Sequence, residues 1–276
     1  MDGAPKTQKR SSQGKDITGS IFRSPVRTAA VTNNQHVELH TFKDAEALSY
    51  AVAEWIADVI GDTLKKQDRF TIALSGGSTP ERLHRILAAT PYKERIDWAR
   101  LHIFWGDERA VPFEDSRNNA KMAYDTLLNF VPVPAAQIHV MRTDIPPEQS
   151  AIAYEKILHE YFGDTGPSFD LVLLGMGDDG HTLSLFPGTP VVHEESAWVT
   201  SFFLKAQDMY RITLTRPIVN RAARVAFLTT GTKKAHALKE VLKGAYNPDM
   251  YPSQTIMPQA GELHWFVDEA AAADLK

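Results

Sequence analysis

A loop of small and hydroxyl-bearing residues stands between a predicted strand and a predicted helix. It consists of Ser75, Gly76, Gly77, Ser78, Thr79 and Pro80. Two glycines permit a tight turn whose N–H groups point at an anion, and the following helix adds unpaired donors and its positive dipole end. No Gly-Lys-Ser/Thr follows, so this is not a Walker loop. The loop predicts phosphate binding; a turn that only connects two elements is the alternative.

Charged residues follow two other predicted strands. In the run Trp105–Pro112, Arg109 could hold a phosphate through two parallel hydrogen bonds, and Asp107 could act as a base or orient a substrate hydroxyl. An internal salt bridge of Arg109 is the alternative. Lys234 stands at a predicted helix start, where a cation opposes the helix dipole, so it is a candidate for anion binding or else a solvated charge. Arg211 is a weaker candidate of the same kind.

The most informative loop follows the continuous apolar strand Asp170–Leu174. Its glycines Gly175, Gly177 and Gly180 match the G-x-G-x-x-G pattern of dinucleotide-binding proteins letter by letter. Two aspartates inside the loop would repel a pyrophosphate, and Pro187 comes too early for the long helix that the motif opens. Glycines also bring N–H groups close to a carbonyl oxygen. We therefore favour an oxyanion-binding loop over a dinucleotide site.

His181 lies in the same loop, two residues after Asp179. Histidine is the side chain best matched to proton transfer near neutral pH. One histidine among ten is more often structural, but its position in a glycine-rich loop after a strand favours a functional role. Together the loops predict acid–base chemistry on a phosphorylated small molecule. The sequence has no H-E-x-x-H motif and no cysteine, so we expect no metal and no cofactor.

Hydrophobic periodicity predicts the elements that position these loops. Helices are predicted over residues 44–66, 80–88 (capped by Ser78 or Thr79), 119–128, 148–161 and 233–242, and at the C-terminus. Strands are predicted over residues 69–74, 101–105, 170–174, 211–214, 225–228 and 263–267. This alternation predicts a single α/β domain over residues 36–276, with a mainly parallel, Rossmann-like sheet flanked by helices. Ligands of such sheets bind at the carboxyl ends of the strands.

Composition excludes several classes of protein. The 276 residues are 43% hydrophobic and contain no cysteine, which excludes disulfides, thiolate nucleophiles and Cys-bound metals. A reducing compartment fits, and we expect a cytoplasmic protein. The formal charge of -4 does not favour a nucleic-acid partner, and no segment approaches the ~18 apolar residues of a membrane span.

The N-terminal segment differs from the rest in charge. Six basic and two acidic side chains give residues 1–35 a charge of +4 and leave -8 for the remainder. The segment is rich in polar residues and glycine and lacks sustained periodicity, which predicts a disordered basic tail. An organelle-targeting segment is the alternative, although Asp2 and Asp16 weigh against it.

These motifs together resemble the 6-phosphogluconolactonase family. The matching runs are SGGSTP (75–80), WGDERAVP (105–112), DLVLLGMGDDGHTLSLFPG (170–188), RITLT (211–215) and GTKKA (231–235). The resemblance implies the α/β fold shared with glucosamine-6-phosphate deaminases. It also implies hydrolysis of 6-phospho-D-glucono-1,5-lactone, a carboxylic ester, to 6-phosphogluconate in the pentose phosphate pathway. Asn118 departs from the pattern, because the family has a serine before the residue matching Asn119.

The resemblance further implies roles for individual residues. Ser75–Thr79, Arg109 and Lys234 would hold the phosphate, and His181 would be the general acid/base with Asp179 nearby. An aminosugar-phosphate deaminase/isomerase is a rival activity. Enzymes of that kind resemble the pattern DGH-x-x-x-x-Glu-Pro, whereas this chain has Phe186 in place of the glutamate, before Pro187. A non-catalytic sugar-phosphate sensor is a second rival. We expect a sugar-phosphate lactone as substrate, no nucleic-acid or membrane partner, and a monomer or weak homodimer.

Overall fold

A computed structural model describes Met1, residues 26–32 and residues 35–276 of the chain. The strands are β1 (Val26–Thr32), β2 (Gln35–Phe42), β3 (Phe70–Leu74), β4 (Leu101–Trp105), β5 (Asp107–Arg109), β6 (Leu171–Gly175), β7 (Val199–Leu204), β8 (Met209–Leu214), β9 (Arg224–Thr229) and β10 (Glu262–Asp268). The α-helices are α1 (Ala45–Leu64), α2 (Ser78–Leu87), α3 (Tyr92–Arg95), α4 (Asn119–Ala123), α5 (Pro147–Phe162), α6 (Arg216–Val219) and α7 (Ala235–Lys243).

The central sheet has seven strands in the order β1-β2-β10-β9-β6-β3-β4. Only the β1–β2 pair is antiparallel, and every other pair is parallel. The strands β5, β8 and β7 form a second, antiparallel sheet in that order. The prediction of a mainly parallel α/β sheet flanked by helices is confirmed. The predicted strand 211–214 exists within β8, but it belongs to the second sheet.

Both faces of the central sheet are covered by apolar side chains. Along β6, Leu171 and Leu173 face a core that includes Leu48 and Ile56 of α1. Val172 and Leu174 face the opposite core, which includes Leu158 of α5 together with residues of β8 and α7. Alternate side chains of a strand point to opposite faces, so a strand buried on both faces needs a continuous apolar run. This is why DLVLL has no polar alternation.

Several predicted boundaries need correction. Neither Ser78 nor Thr79 caps α2, because Gly77 is the N-cap and no side chain makes the capping hydrogen bond. The helix predicted over 119–128 is α4 followed by a π-helical turn at Tyr124–Leu128. The C-terminal helix is only a 3₁₀ turn, Ala273–Leu275. Within the described chain, no helix is both long and apolar enough to cross a membrane.

Strand β1 overlaps the segment that composition predicts to be a disordered tail. Its backbone pairs with β2 from Val26 opposite Thr41 to Thr32 opposite Gln35. Pairing with a neighbouring strand depends on the completed sheet, and composition does not report it. The predicted tail therefore differs from the structure at residues 26–32, while residues 2–25 lie outside the described residues.

Candidate active site

Four loops meet at one edge of the central sheet. They follow the adjacent parallel strands β9, β6, β3 and β4, whose carboxyl ends lie side by side. Thr79 Oγ1 lies 2.9 Å from Thr230 Oγ1, so the loop after β3 touches the loop after β9. Lys234 Nζ lies 2.6 Å from Asp178 Oδ1, which joins the loops after β9 and β6. After β3 the next strand of the central sheet is β4 on one side, whereas after β6 it is β9 on the other. Ligands of α/β sheets bind at such a switch point.

The Ser75–Thr79 loop leads directly into the N-terminus of α2. Gly77 has φ +103°, a conformation that favours glycine. Gly76 lies against Asn119 of α4, whose Oδ1 would be 2.0 Å from a Cβ at position 76. Because no side chain caps α2, the N–H groups of its first turn remain available to an anion. This geometry is compatible with phosphate binding, which stays a prediction.

His181 and Asp179 form a hydrogen-bonded pair in the loop after β6. His181 Nδ1 lies 2.6 Å from Asp179 Oδ1, which also accepts the backbone N–H of His181 at 3.1 Å. An ionised carboxylate only accepts hydrogen bonds, so Nδ1 carries the proton and Nε2 presents its lone pair. The His181 ring stacks on Phe186 with centroids 4.1 Å apart. These contacts fix the orientation of the ring and favour the tautomer that leaves Nε2 open, as a general base requires.

The electrostatics of Asp179 support this arrangement. Partial burial of Asp179 opposes its ionisation, but the hydrogen bond and the charge of His181 outweigh burial and lower the pKa of Asp179 below its ordinary value.

Gly177 makes room for the pair, because a Cβ there would lie 2.0 Å from His181 Nδ1. Gly180 has φ +79° and packs against Tyr251.

The predicted oxyanion role of the glycines does not match the hydrogen bonds of the loop. The N–H of Gly177 donates to the carbonyl of His181 at 2.8 Å, and the N–H of Gly180 donates to the carbonyl of Gly177 at 3.1 Å. The carbonyl of Gly175 accepts the Thr182 hydroxyl at 2.8 Å. Gly177 and Gly180 thus shape the loop around His181 and do not direct these N–H groups at a substrate oxygen. The next helical segment is a 3₁₀ turn, Pro190–His193, which agrees with rejecting a dinucleotide motif.

Two of the predicted cations lie in partly buried positions. Lys234 ends the 3₁₀ turn Thr232–Lys234 before α7, and its side chain is 25% exposed. The preceding Gly231 N–H donates to the Asp268 carboxylate, which fixes this turn against the end of β10. Arg109 donates from Nη1 to the Arg117 carbonyl at 2.7 Å. Its Nε is buried and has no hydrogen-bond partner among the described residues, and the phosphate-binding role of Arg109 stays a prediction.

Asp107 and Arg211 form a buried ion pair. Arg211 Nη2 lies 3.2 Å from Asp107 Oδ2, and both residues are almost fully buried. The Ser184 hydroxyl donates to the same Asp107 oxygen at 2.6 Å and accepts from Arg211 Nε at 2.9 Å. The Arg211 guanidinium also lies over the Phe186 ring, 5.5 Å from its centroid. The structure thus joins these two residues to each other and, through Phe186, to the ring of His181. The catalytic role of Asp107 and the phosphate-binding role of Arg211 remain predictions.

Glu108 is a buried residue of this region that the sequence did not single out. Its carboxylate accepts the N–H groups of Arg109 and Asn119 on one oxygen and of Ala120 on the other, at 2.7–2.8 Å. Burial nevertheless raises the pKa of Glu108 to about 7. Asn118 caps α4 by accepting the Lys121 N–H at 2.8 Å, so it performs the capping role that serine also performs. No spacing rule could have identified Glu108, because two of its three partners, Asn119 and Ala120, lie eleven and twelve residues away.

The fold and the site define an α/β protein with a histidine–carboxylate pair and an uncapped helix N-terminus at one sheet edge. A family model described as "Glucosamine-6-phosphate isomerases/6-phosphogluconolactonase" matches residues 43–265. The chain belongs to this family.

Individual relatives agree with that membership. A 6-phosphogluconolactonase of Synechocystis sp. is 42% identical over 221 residues, which cover 79% of this chain and 89% of the relative. "6-phosphogluconolactonase 3, chloroplastic" of Arabidopsis thaliana is 36% identical over an alignment of 277 residues, covering 95% of this chain and 83% of the relative. The solved 6-phosphogluconolactonase from Trypanosoma brucei has a TM-score of 0.75 at 28% identity and covers 86% of this chain and 98% of that chain.

Proposed function

We propose that this chain hydrolyses 6-phospho-D-glucono-1,5-lactone to 6-phospho-D-gluconate, a step of the pentose phosphate pathway. The observation that carries the proposal is the His181–Asp179 pair, with Nδ1 2.6 Å from Oδ1, at the same sheet edge as the uncapped α2 N-terminus. Relatives named 6-phosphogluconolactonase over most of the chain support the same substrate. The chain is thus a carboxylic ester hydrolase that acts on a sugar-phosphate lactone.

The proposed reaction needs one base that later acts as an acid. His181 Nε2 accepts a proton from water while the water oxygen attacks C1 of the lactone. The bond between C1 and the ring oxygen then breaks, and His181 returns the proton to that oxygen as it leaves. Asp179 keeps the proton on Nδ1 and stabilises the imidazolium that forms between the two steps. No proton is gained or lost by the enzyme over the cycle.

The phosphate group orients the lactone without taking part in the chemistry. We propose that the first-turn N–H groups of α2, the hydroxyls of Ser75 and Thr79, Arg109 and Lys234 bind it. The pair between Lys234 and Asp178 is 2.6 Å long, and a phosphate would share the Lys234 ammonium with this carboxylate. Arg211 forms an ion pair with Asp107 that largely balances its charge, so we propose only a minor contribution of Arg211 to phosphate binding.

An assay with two substrates tests this activity against its rival. Freshly prepared 6-phosphogluconolactone should be hydrolysed well above its spontaneous rate, measured as acid release, while glucosamine-6-phosphate should yield no ammonia. Phe186 supports this selectivity, because its ring stacks on His181 and it offers no carboxylate for opening an aminosugar ring. Ammonia release without lactone hydrolysis would favour the deaminase, and binding of the lactone without turnover would favour the sensor.

We also propose that residues 36–276 form one catalytic domain. We further propose that the protein works as a monomer or weak homodimer in the cytoplasm, without a nucleic-acid or membrane partner. The -8 charge outside residues 1–35 supports the exclusion of nucleic acid. A relative is named chloroplastic, so an organelle is the competing location. Sedimentation of the purified chain tests the oligomeric state. Imaging of a C-terminally tagged chain in its own cells tests the location.

A further inference from the structure

A cluster of two histidines and a glutamate lies outside the proposed active site. Glu38 and His40 are two residues apart on β2, and His264 of β10 stands opposite Glu38 in the parallel register. Their side chains therefore share one face of the sheet. His40 Nε2 lies 3.3 Å from His264 Nδ1 and 3.5 Å from Glu38 Oε2, and the last two atoms are 3.9 Å apart. Three potential acceptor atoms thus converge on one point.

These spacings fit a bound metal ion. Zinc binds imidazole nitrogen and carboxylate oxygen at about 2.0–2.2 Å, so two ligands of one tetrahedral zinc lie about 3.3–3.6 Å apart. Two of the three distances in the cluster fall in this range, and the third exceeds it by a few tenths of an ångström. Lone pairs held this close repel each other unless a proton or a cation lies between them. Imidazole and carboxylate are a donor set for zinc rather than for calcium or magnesium.

The surroundings of the cluster are those of a metal site. His264 Nε2 lies 3.3 Å from Glu262 Oε2, and Glu262 in turn accepts from Arg224 Nε at 3.0 Å. A carboxylate on the second ring nitrogen fixes the tautomer of a metal-binding histidine and turns its lone pair to the metal. Trp55 packs on His264 with centroids 4.9 Å apart. The histidines are 6% and 4% exposed, whereas the Glu38 side chain is 39% exposed and opens the cluster to solvent.

We propose that Glu38, His40 and His264 bind a divalent transition-metal ion, with zinc the best match and water as the fourth ligand. The ion would link β2 to β10, two strands that lie far apart in sequence and adjacent in the sheet. Such a link stabilises the folded chain, because the unfolded chain does not hold the three ligands together. The site is separate from the His181 pair, which follows β6.

Zinc titration of the metal-free, full-length protein tests this proposal. Calorimetry and elemental analysis should find one zinc per chain, and zinc at about 100 times its Kd should raise Tm by about 5–10 °C. Glu38→Ala and His264→Ala should each weaken zinc binding by at least about tenfold. The half-exposed Glu38 makes its variant the safer one for folding. His193→Ala, which removes an exposed histidine paired with Asp249, should bind zinc like the unsubstituted protein.

Two results would overturn the proposal. One is the absence of saturable zinc binding, which would mean that a shared proton holds the cluster together. The other is zinc binding that is lost in His181→Ala but kept in Glu38→Ala and His264→Ala, which would place the ion at the His181–Asp179 pair. Each variant's Tm is compared with its own metal-free form, so a general loss of stability does not count as loss of binding.

Discussion

At the residue scale, the site depends on which atoms already have partners. His181 Nδ1 is committed to Asp179, which leaves Nε2 for proton transfer. Asp107 and Arg211 are committed to each other and to Ser184. Arg109 is different, because its Nε has no partner among the described residues. Of the two arginines considered for phosphate binding, Arg109 is therefore the one without a carboxylate partner among the described residues, and we expect it rather than Arg211 to bind the phosphate.

Arg109→Ala should mainly affect substrate binding. Loss of a charged hydrogen bond to the phosphate should raise KM about 10- to 100-fold and change kcat little, because the phosphate contact is the same in the ground and transition states. Arg85→Ala is the matched control, since Arg85 is an exposed partner of Glu81 on α2. Steady-state kinetics give KM and kcat for both variants. An unchanged KM in Arg109→Ala contradicts the phosphate role.

At the element scale, the site is held by contacts between loops and α4. Gly76 lies against Asn119, which donates to the Asp107 carbonyl at 2.9 Å. Glu108 binds the first N–H groups of α4 and sits between Asp107 and Arg109 on β5. The loop after β3 and the short strand β5 are thus both positioned by the start of one five-residue helix.

Gly76→Ala tests that close approach. A Cβ at position 76 would lie 2.0 Å from Asn119 Oδ1, so the Asn119 side chain or the loop must move. We expect a loss of about 1–3 kcal/mol in the free energy of unfolding and a lower kcat/KM. Gly61→Ala in α1 is the control, because nothing lies within 4 Å of a Cβ there, and it should be neutral or slightly stabilising. Equal free energies of unfolding for the two variants, measured in denaturant melts, would contradict the close approach of Gly76 to Asn119.

Glu108 predicts a pH-dependent contribution to stability. Burial raises its pKa from 4.5 to about 7, so the folded state holds a proton that the unfolded state has released between these values. The contribution of Glu108 to the free energy of unfolding is therefore largest below about pH 4.5 and falls as the pH rises to about 7. The stability difference between the unsubstituted protein and Glu108→Ala should shrink by about 3 kcal/mol from pH 4.5 to pH 8. A constant or widening difference in urea melts would contradict the raised pKa.

The elements that the sequence predicted best are those whose signal is local. The buried strands FTIAL, LHIFW and LVLLG and the amphipathic α1 follow from periodicity alone, and their bounds agree with the structure within one or two residues. The small sheet was missed, because β5 has three residues and pairs with β8 about a hundred residues later. Likewise His181 and Asp179 are neighbours in sequence and were found together, whereas the partners of Arg211 and Glu108 depend on tertiary packing.

At the scale of the whole molecule, the charge is unfavourable for an anionic substrate. The chain outside residues 1–35 carries -8, so its net field does not attract a sugar phosphate. We therefore expect the attraction to come from a local group, namely the α2 N–H donors, Arg109 and Lys234. Such short-range attraction is partly screened by salt.

The salt dependence of KM should reveal this local group. We expect KM to rise severalfold between about 0.05 and 0.5 M NaCl, because phosphate–cation contacts at a partly exposed site are screened. The doubly substituted Arg109→Ala, Lys234→Ala protein should show a flatter dependence on salt. Potassium glutamate in place of NaCl controls for specific chloride binding. If KM depends on salt as steeply in the doubly substituted protein as in the unsubstituted one, the assignment of these two cations is contradicted.

The most direct test of the account is the turnover of 6-phosphogluconolactone by His181→Ala at saturating lactone. General acid–base catalysis by one positioned side chain contributes about 10²–10⁴-fold, so kcat, measured as acid release corrected for spontaneous hydrolysis, should fall by that factor while KM stays close to its original value. Circular dichroism confirms that the variant is folded. A His181→Ala protein that keeps its kcat would contradict the central claim that His181 carries the proton in lactone hydrolysis.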